Sequence, residues 1–423
     1  MDYTLYDVED NLSPFEKFVL FLILALLSLP QLLSASMVLT SLLIMVLLLY
    51  EAIDSYRSSE KIVLSLDTLS VVLILFFAYI LADRGPLSVS EKNYNWSINY
   101  ACLILLPLIN TSKNANRVVY CAKVMAWVNL INAGATILFW ILPGLYPAYK
   151  AVFLKGFILI KGEGYKAGLT SHYSTNGMVL TLGLLSAFAL IPRDRKKYGA
   201  LTAIFLLVIV LTTKRAHLIF GVMACVIVYF SSNLGRAISK IVKIIFILLA
   251  IVGLWYVAAQ YFPVLGEVFV RLQDTEDSTR AMYWAMCLSL FLKNPVFGNG
   301  WKAFAGVLYS SPISRSLVAW GNTGQDAHNV YLQILAEQGI VGETLFIIVV
   351  SVAMARTLGM LKRQPDEEEL SDVSGYEWQN DRVALRLSLG LQCFILMYCL
   401  TGNPLYTSTM YVPWLLSLGA CAA

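Results

Sequence analysis

The sequence predicts an all-α polytopic membrane protein with about twelve transmembrane helices and one large extracytoplasmic loop that itself contains helices. Three observations predict it. Of the 423 residues 58% are hydrophobic and only 14% charged, where a soluble chain carries about 25% charged residues. The mean hydropathy is +0.69. Apolar runs close to the roughly 20 residues that cross a bilayer fill most of the length, with short Ser-, Asn-, Gly- and Pro-rich breaks between them. A net charge of +4 is too small and too scattered to suggest nucleic acid as a partner.

The spans are read at 16–33, 37–53, 67–83, 98–112, 118–142, 173–191, 198–213, 217–232, 239–261, 328–357, 384–401 and 405–420. The start, MDYTLYDVEDN, is acidic and lacks the basic n-region of a signal peptide, so the first apolar run is expected to remain as a span. Short-loop basic residues orient the chain. Arg57 and Lys61, Lys113 and Arg117, the run Pro192-Arg193-Asp194-Arg195-Lys196-Lys197, Arg236 with Lys240 and Lys243, and Lys362 with Arg363 all fall on one side when the spans are threaded in order. That side is the cytoplasm, and both termini lie there. The chain then divides into nine spans over 1–261 (with an outer segment at about 143–172), a large extracytoplasmic loop over 262–327, and three spans over 328–423.

The loop 262–327 is too long for a simple connector, so it is expected to be functional. A helix is predicted from Ser278 to about Leu292, with Asp274, Glu276 and Asp277 ahead of it where negative charge favours a helix start. Asn294-Pro295 ends it and Gly298-Asn299-Gly300 forms a turn. Its Met, Trp, Leu and Phe content places it at the membrane interface or packed under the loop. Of the seven cysteines, Cys102, Cys121, Cys225, Cys393 and Cys399 sit inside apolar runs, and no Cys/His spacing suits a metal. No internal repeat is visible.

Three groups of residues can carry chemistry. His172, His217 and His328 each fall at the outer end of a span. Histidine suits proton transfer near neutral pH, and each alone is equally well an interfacial polar residue. Lys214 and Arg215 occupy the tight outer turn Thr212-Thr213-Lys214-Arg215-Ala216-His217, against the positive-inside tendency. They read either as flank charges that snorkel to head groups or as an anion site, joined by Arg271, Arg280 and Arg315 of the long loop. Guanidinium groups at a membrane surface suit phosphate or pyrophosphate oxygens. The third group is the segment Asp326–Gly342, where His328 stands at a helix mouth and Asn329, Gln333 and Glu337 share one helix face. Glu337 lies two turns in, and an intramembrane acid is a functional candidate. Gly339 and Gly342 permit close approach of another helix.

His328-Asn329, nine residues, then Gly339-x-x-Gly342 resembles the signature of the bacterial O-antigen ligase and polysaccharide polymerase family. Thr279-Arg280-x-x-x-Trp284 followed by Asn294-Pro295-x-x-Gly298-x-Gly300-Trp301 resembles that family's loop helix and turn. Lys214-Arg215-Ala216 resembles its Ser-Arg turn, with Lys214 and His217 as departures, and Gly168-Leu169-Thr170-Ser171-His172-Tyr173-Ser174-Thr175-Asn176 resembles its glycine-containing stretch ahead of a span. The resemblance implies a metal-independent, GT-C-like glycosyltransferase in the bacterial cytoplasmic (inner) membrane, with no cofactor. Its donor would be an undecaprenyl-pyrophosphate-linked oligosaccharide, and its acceptor a glycan or lipid A core. It implies His328 as base toward the acceptor hydroxyl, Arg215 and Arg280 with Lys214 at the pyrophosphate, and Asn329, Glu337, Gly339, Gly342, His172 and His217 in support. Repeat-unit polymerisation is expected ahead of O-antigen ligation, and both ahead of a flippase, which would carry charges deep in a central cavity and show repeat symmetry.

Overall fold

A computed structural model of the chain describes residues 12–29, 36–57, 67–82, 114–154, 164–231, 278–310, 326–364 and 376–421. All regular structure in them is helical: α1 Pro14–Ser28, α2 Ser36–Arg57, α3 Thr68–Ala82, α4 Asn114–Ile141, α5 Leu145–Phe153, α6 Tyr173–Leu190, α7 Arg195–Leu211, α8 Arg215–Ser231, α9 Ser278–Lys293, α10 Ala303–Ser310, α11 Val330–Arg363, α12 Tyr376–Tyr398 and α13 Ser408–Leu418, with short 3₁₀ turns at Gly164–Ala167 and Pro404–Tyr406. The expected spans 98–112 and 239–261 lie outside the described residues, as do Arg271, Arg315 and the start of the long loop. Three described segments, Ala115–Ile141, Tyr173–Leu190 and Val330–Arg363, are long and apolar enough to cross a membrane, and Thr68–Ile80 and Arg215–Ser231 are shorter apolar helices.

The breaks between apolar runs supply the helix caps. Ser13 Oγ accepts from the Glu16 N–H at 3.1 Å, Asp67 Oδ1 from Ser70 at 2.7 Å, and Asp194 Oδ1 from Lys197 at 2.9 Å. Each satisfies one of the orphan N–H groups that a helix start leaves. The run Arg193–Lys197 is thus both a charged loop and the start of α7.

One continuous apolar core joins α1–α4, α6–α8 and α11–α13. α4 packs on α6, α6 on α7, α8 on α12 and α3 on α11. The loop helices α9 and α10 have a core of their own, in which Tyr283, Cys287, Leu290, Phe304 and Leu308 meet Ala327 and Ala336 at the start of α11. Large apolar side chains also stand exposed along the helices, Phe18, Leu49, Ile131 and Leu207 among them. That outward apolar surface fits a membrane protein.

Two basic residues differ from a simple flank-charge reading. Arg117, counted among the loop charges, is buried and ion-paired with both Glu16 of α1 and Glu51 of α2. Arg356 pairs with Asp67 and also donates to the Cys421 carbonyl at 3.3 Å. Removing one partner of the buried Arg117 pairs leaves an uncompensated charge, so they lock α1, α2 and α4 together, while the half-buried Arg356 pair ties α11 to the start of α3.

Candidate active site

The helix predicted from Ser278 is α9, and it runs beside the first turns of α11 in the same direction. Tyr283 stacks toward His328 with centroids 6.5 Å apart, and the Trp284 Nε1–H donates to the Ala327 carbonyl at 3.2 Å. Further along, Asn299 Nδ2 donates to the carbonyls of Leu290 and Ala336 at 2.7 and 2.9 Å. The Ile340 N–H then bonds the Pro295 carbonyl at 2.9 Å.

Gly339 accounts for that last contact. Its φ is 66° and it breaks α11. The break frees the N–H groups of Ile340 and Val341 and the carbonyls of Ala336 and Glu337, and residues 295–300 satisfy all four. Gly298, at φ 80°, lies so close that an added Cβ would meet the Glu337 carbonyl oxygen at 2.3 Å. The sequence suggested helix–helix approach at both glycines. Gly339 instead receives a backbone turn, and Gly342 faces a ring of α3, where a Cβ would lie 3.3 Å from Tyr79 Cε1. Tyr79 in turn donates through its hydroxyl to the carbonyls of Phe297 and Gln338 at 3.1 and 3.0 Å.

His328 occupies the left-handed region, with φ 54°. Such a conformation in a non-glycine residue costs about 1–3 kcal/mol and persists only where the surroundings impose it. Here the backbone is held on both sides. The Ala327 N–H donates to Gln333 Oε1 at 2.9 Å while its carbonyl accepts from Trp284. Asn329 caps α11, its Oδ1 accepting from Leu332 N–H at 3.1 Å, and the Val330 N–H donates to the Cys399 carbonyl at 2.8 Å. The His-Asn pair thus has a local reason: the asparagine starts the helix and the histidine turns the chain into it.

The other predicted residues converge on this corner. Thr213, at φ 59°, turns the chain between α7 and α8, so Lys214 precedes the helix and half-buried Arg215 opens it. Two cations at a helix N-terminus oppose its dipole, and a bound anion would relieve both. Lys214 Nζ lies 4.0 Å above the Tyr173 ring, against which His172 stacks at 4.6 Å. His172 Nδ1 caps α6, accepting from the Ser174 N–H at 3.1 Å. Tyr398 is hydrogen-bonded to the Ser174 side chain and lies in the electrostatic field of Arg280. His172, Lys214 and His328 thus lie within one another's electrostatic reach, Arg280 of α9 lies near Tyr398 of α12 beside the start of α6, and Arg215 follows Lys214 as the first residue of α8.

Desolvation, with Lys214 and then His328 adding to it, lowers His172 from 6.5 to about 4. Its folded value lies below its unfolded one, so the unfolded chain takes up the proton first on acidification. The stability this contributes is fully present above about pH 6.5 and is lost as pH falls toward 4. The thermal midpoint in detergent is expected to fall less steeply between these pH values in His172→Asn, which keeps a capping acceptor, than in the native protein. Equal slopes would rule the effect out.

His217 lies beneath the group, in the electrostatic field of Lys214. It is 0% exposed, both ring nitrogens have no hydrogen-bond partner among the described residues, and it packs against Tyr398 at 4.6 Å. A Cβ on Gly177 would come 3.0 Å from its ring. It is a packing residue beneath the corner and not an interfacial one. Glu337 is also 0% exposed, about 10 Å along α11 from its first residue, Val330, at about 1.5 Å per residue. It accepts from Gln333 Nε2 at 3.1 Å, from the Tyr406 hydroxyl at 2.9 Å and from the Lys302 backbone N–H.

Sequence reasoning missed several supports. Asn132 and Thr136 of α4 fasten the stretch before α6: Asn132 Nδ2 donates to Asn176 Oδ1, and Asn132 Oδ1 accepts from the Leu169 N–H, both at 2.8 Å. Asn176 Nδ2 donates to Thr136 Oγ1 at 3.0 Å. Gly168, at φ 55°, sits so tightly over them that a Cβ would come 2.6 Å from Thr136 Oγ1. Asn403 and Tyr406, between α12 and α13, reach Gln333 and Glu337. A polar residue inside an apolar run, as at Asn132, was the available signal.

A protein-family model described as O-antigen ligase matches residues 200–347. No curated protein matches the chain. The matched stretch begins within α7 and takes in Lys214, Arg215, all of α9 and α10, and His328 through Gly342.

Proposed function

We propose, from the match of residues 200–347 to a family model described as O-antigen ligase, that the chain transfers an oligosaccharide from undecaprenyl pyrophosphate to a glycan acceptor. The work is done at the outer face of the bacterial cytoplasmic membrane, in a bundle of about twelve spans with both termini in the cytoplasm. The observation that supports this reading is the clustering of His328, His172 and Lys214, with Arg215 next to Lys214 at the start of α8 and Arg280 near Tyr398, which bonds the first turn of α6.

In this reading the acceptor hydroxyl oxygen attacks the anomeric carbon and gives its proton to His328. The bond from that carbon to the pyrophosphate oxygen breaks, and its electron pair leaves with the pyrophosphate. Arg215 and Arg280, supported by Lys214, hold the charge that develops there. Fixed cations perform this service without a metal. Repeat-unit polymerisation is preferred to ligation onto lipid A core, since no feature of the sequence is tied to lipid A core binding.

The test is proteoliposomes given the lipid-linked donor and an acceptor, with no ATP. The native protein is expected to form new glycosidic bonds. Arg215→Ala is expected to lower turnover roughly a hundredfold or more, as loss of a charge-stabilising donor does, with Arg215→Lys intermediate. Native turnover in Arg215→Ala would remove the pyrophosphate role. Movement of the donor across the bilayer with no new bond would favour a flippase.

A further inference from the structure

One side chain ties the strained corner to the interior. Gln333 is 0% exposed, and all of its hydrogen-bonding capacity is engaged. Its Oε1 accepts from the Ala327 N–H at 2.9 Å and from Asn403 Nδ2. Its Nε2 donates to Glu337 Oε1 at 3.1 Å, and its side chain also bonds the Asp326 carboxyl. An amide is the neutral group that supplies two acceptor sites and two donors at once. Two acids flank it, and a third ionised group there would repel both. Each of its partners belongs to a different piece of the corner: Asp326 and Ala327 end the long loop, Glu337 stands one turn further along α11, and Asn403 precedes α13. Ala327 is the residue before His328, and its peptide is clamped between Gln333 and Trp284. Local helix chemistry does not require this glutamine, since Asn329 already caps α11.

We propose that Gln333 is a positioning residue that sets the orientation of His328 toward the acceptor by fixing the Asp326–Ala327 peptide; this rests on the assignment of His328 as base. The groups that face it from the surrounding elements are Asp326 before α11, Glu337 within α11, Lys302 ahead of α10, Tyr406 from the 3₁₀ turn and Cys287 of α9, which lies in the field of Glu337. Desolvation raises Asp326 to about 6, against Lys302 and Gln333.

The test compares Gln333→Met and Gln333→Glu with the native protein, each first shown to be folded by its elution in detergent, over pH 5 to 8. Gln333→Met keeps the length and removes all four hydrogen bonds. Its kcat is expected to fall roughly 10- to 100-fold, the scale of a misplaced catalytic group, with donor KM unchanged and a loss that is flat with pH. In Gln333→Glu the introduced carboxyl donates a hydrogen bond only when protonated. Its kcat relative to native is therefore expected to be highest at the acid end and to fall as pH rises, because ionisation removes the donor and places a third negative charge beside Asp326 and Glu337. A role in packing alone would give two pH-flat losses and would overturn the proposal, as would native kcat in Gln333→Met. In the double variant Gln333→Met/His328→Ala, turnover is expected to equal that of His328→Ala. Multiplying losses would show that Gln333 does not act through His328. Full activity in His328→Ala would overturn both readings and identify the base assignment as the one that failed.

Discussion

Glycan transfer by His328→Ala is expected to fall about a hundred- to ten-thousandfold, the range a positioned general base supplies, while the donor KM stays nearly constant. The side chain would act only as the hydroxyl loses its proton, so its removal costs transition-state stabilisation and not ground-state binding. Neither of the other two histidines can replace it. His172, lowered to about 4 by burial and by its charged neighbours, has too little proton affinity near neutral pH. His217 is fully buried and enclosed by Gly177 and Tyr398. A second variant separates side chain from backbone. At φ 54° histidine and asparagine are both better tolerated than alanine. His328→Asn is expected to keep the native thermal midpoint and still lose transfer. Transfer rates with a labelled lipid-linked donor, set beside thermal midpoints of the three proteins, decide the matter. An active His328→Asn would remove the base role, and equal midpoints in all three would remove the backbone strain.

The helical class and the membrane-capable character were legible because they depend on composition, which one sequence states in full. The loop helix was legible from its cap acids, its apolar content and Asn294-Pro295, and it occurs as α9, Ser278–Lys293. The roles of individual charges were less legible. Arg117 looks like a flank charge because Glu16 and Glu51, its partners, are far away in the chain. Periodicity could not expose these pairs, since every face of such helices is apolar.

At the candidate site, the residue types were legible and the connections were not. His172, Lys214, Arg215, Arg280 and His328 carry recognisable chemistry at recognisable breaks between apolar runs. Gln333, Asn403 and Tyr406 are ordinary polar residues whose importance lies in which of them touch, and contacts such as Tyr406 to Glu337 bridge 69 positions. At His217 it was the burial that could not be read. A histidine next to two cations at a span end reads as chemistry, yet the start of α8 turns it inward against Tyr398. The paired glycines were read for close approach, which holds for Gly342. At Gly339 the backbone itself departs from the helix, which spacing alone does not announce.

That departure makes Gly339→Ala the substitution expected to cost the most stability. With ψ at −168°, φ 66° lies in a region essentially confined to glycine, which costs an alanine about 1–3 kcal/mol. Its Cβ would stand 2.4 Å from the Val296 carbonyl oxygen and 2.6 Å from the Gly298 nitrogen. Those are backbone atoms and cannot swing aside as a flexible side chain would. The turn must then lift, and the bonds from Ile340 to Pro295, Val341 to Val296 and Gly300 to Glu337 weaken together, at about 1 kcal/mol each. A total of about 4 kcal/mol places the change among the exceptional point substitutions. Gly359→Ala, later in the same helix, meets nothing within 4 Å and is expected to gain about 0.5–1 kcal/mol from helix entropy. Thermal midpoints of the two variants should move in opposite directions from the native value. The consequence reaches the candidate site, since the turn 295–300 anchors α9, and α9 carries Arg280, Tyr283 and Trp284 to His328. Gly339→Ala protein that remains folded at low temperature is thus expected to transfer glycan slowly, although the residue lies three turns from the proposed base. A native midpoint in Gly339→Ala would show that the turn does not depend on the break. Native transfer in a destabilised Gly339→Ala would show that α9 holds its place by its own core of Tyr283, Cys287, Leu290 and Phe304.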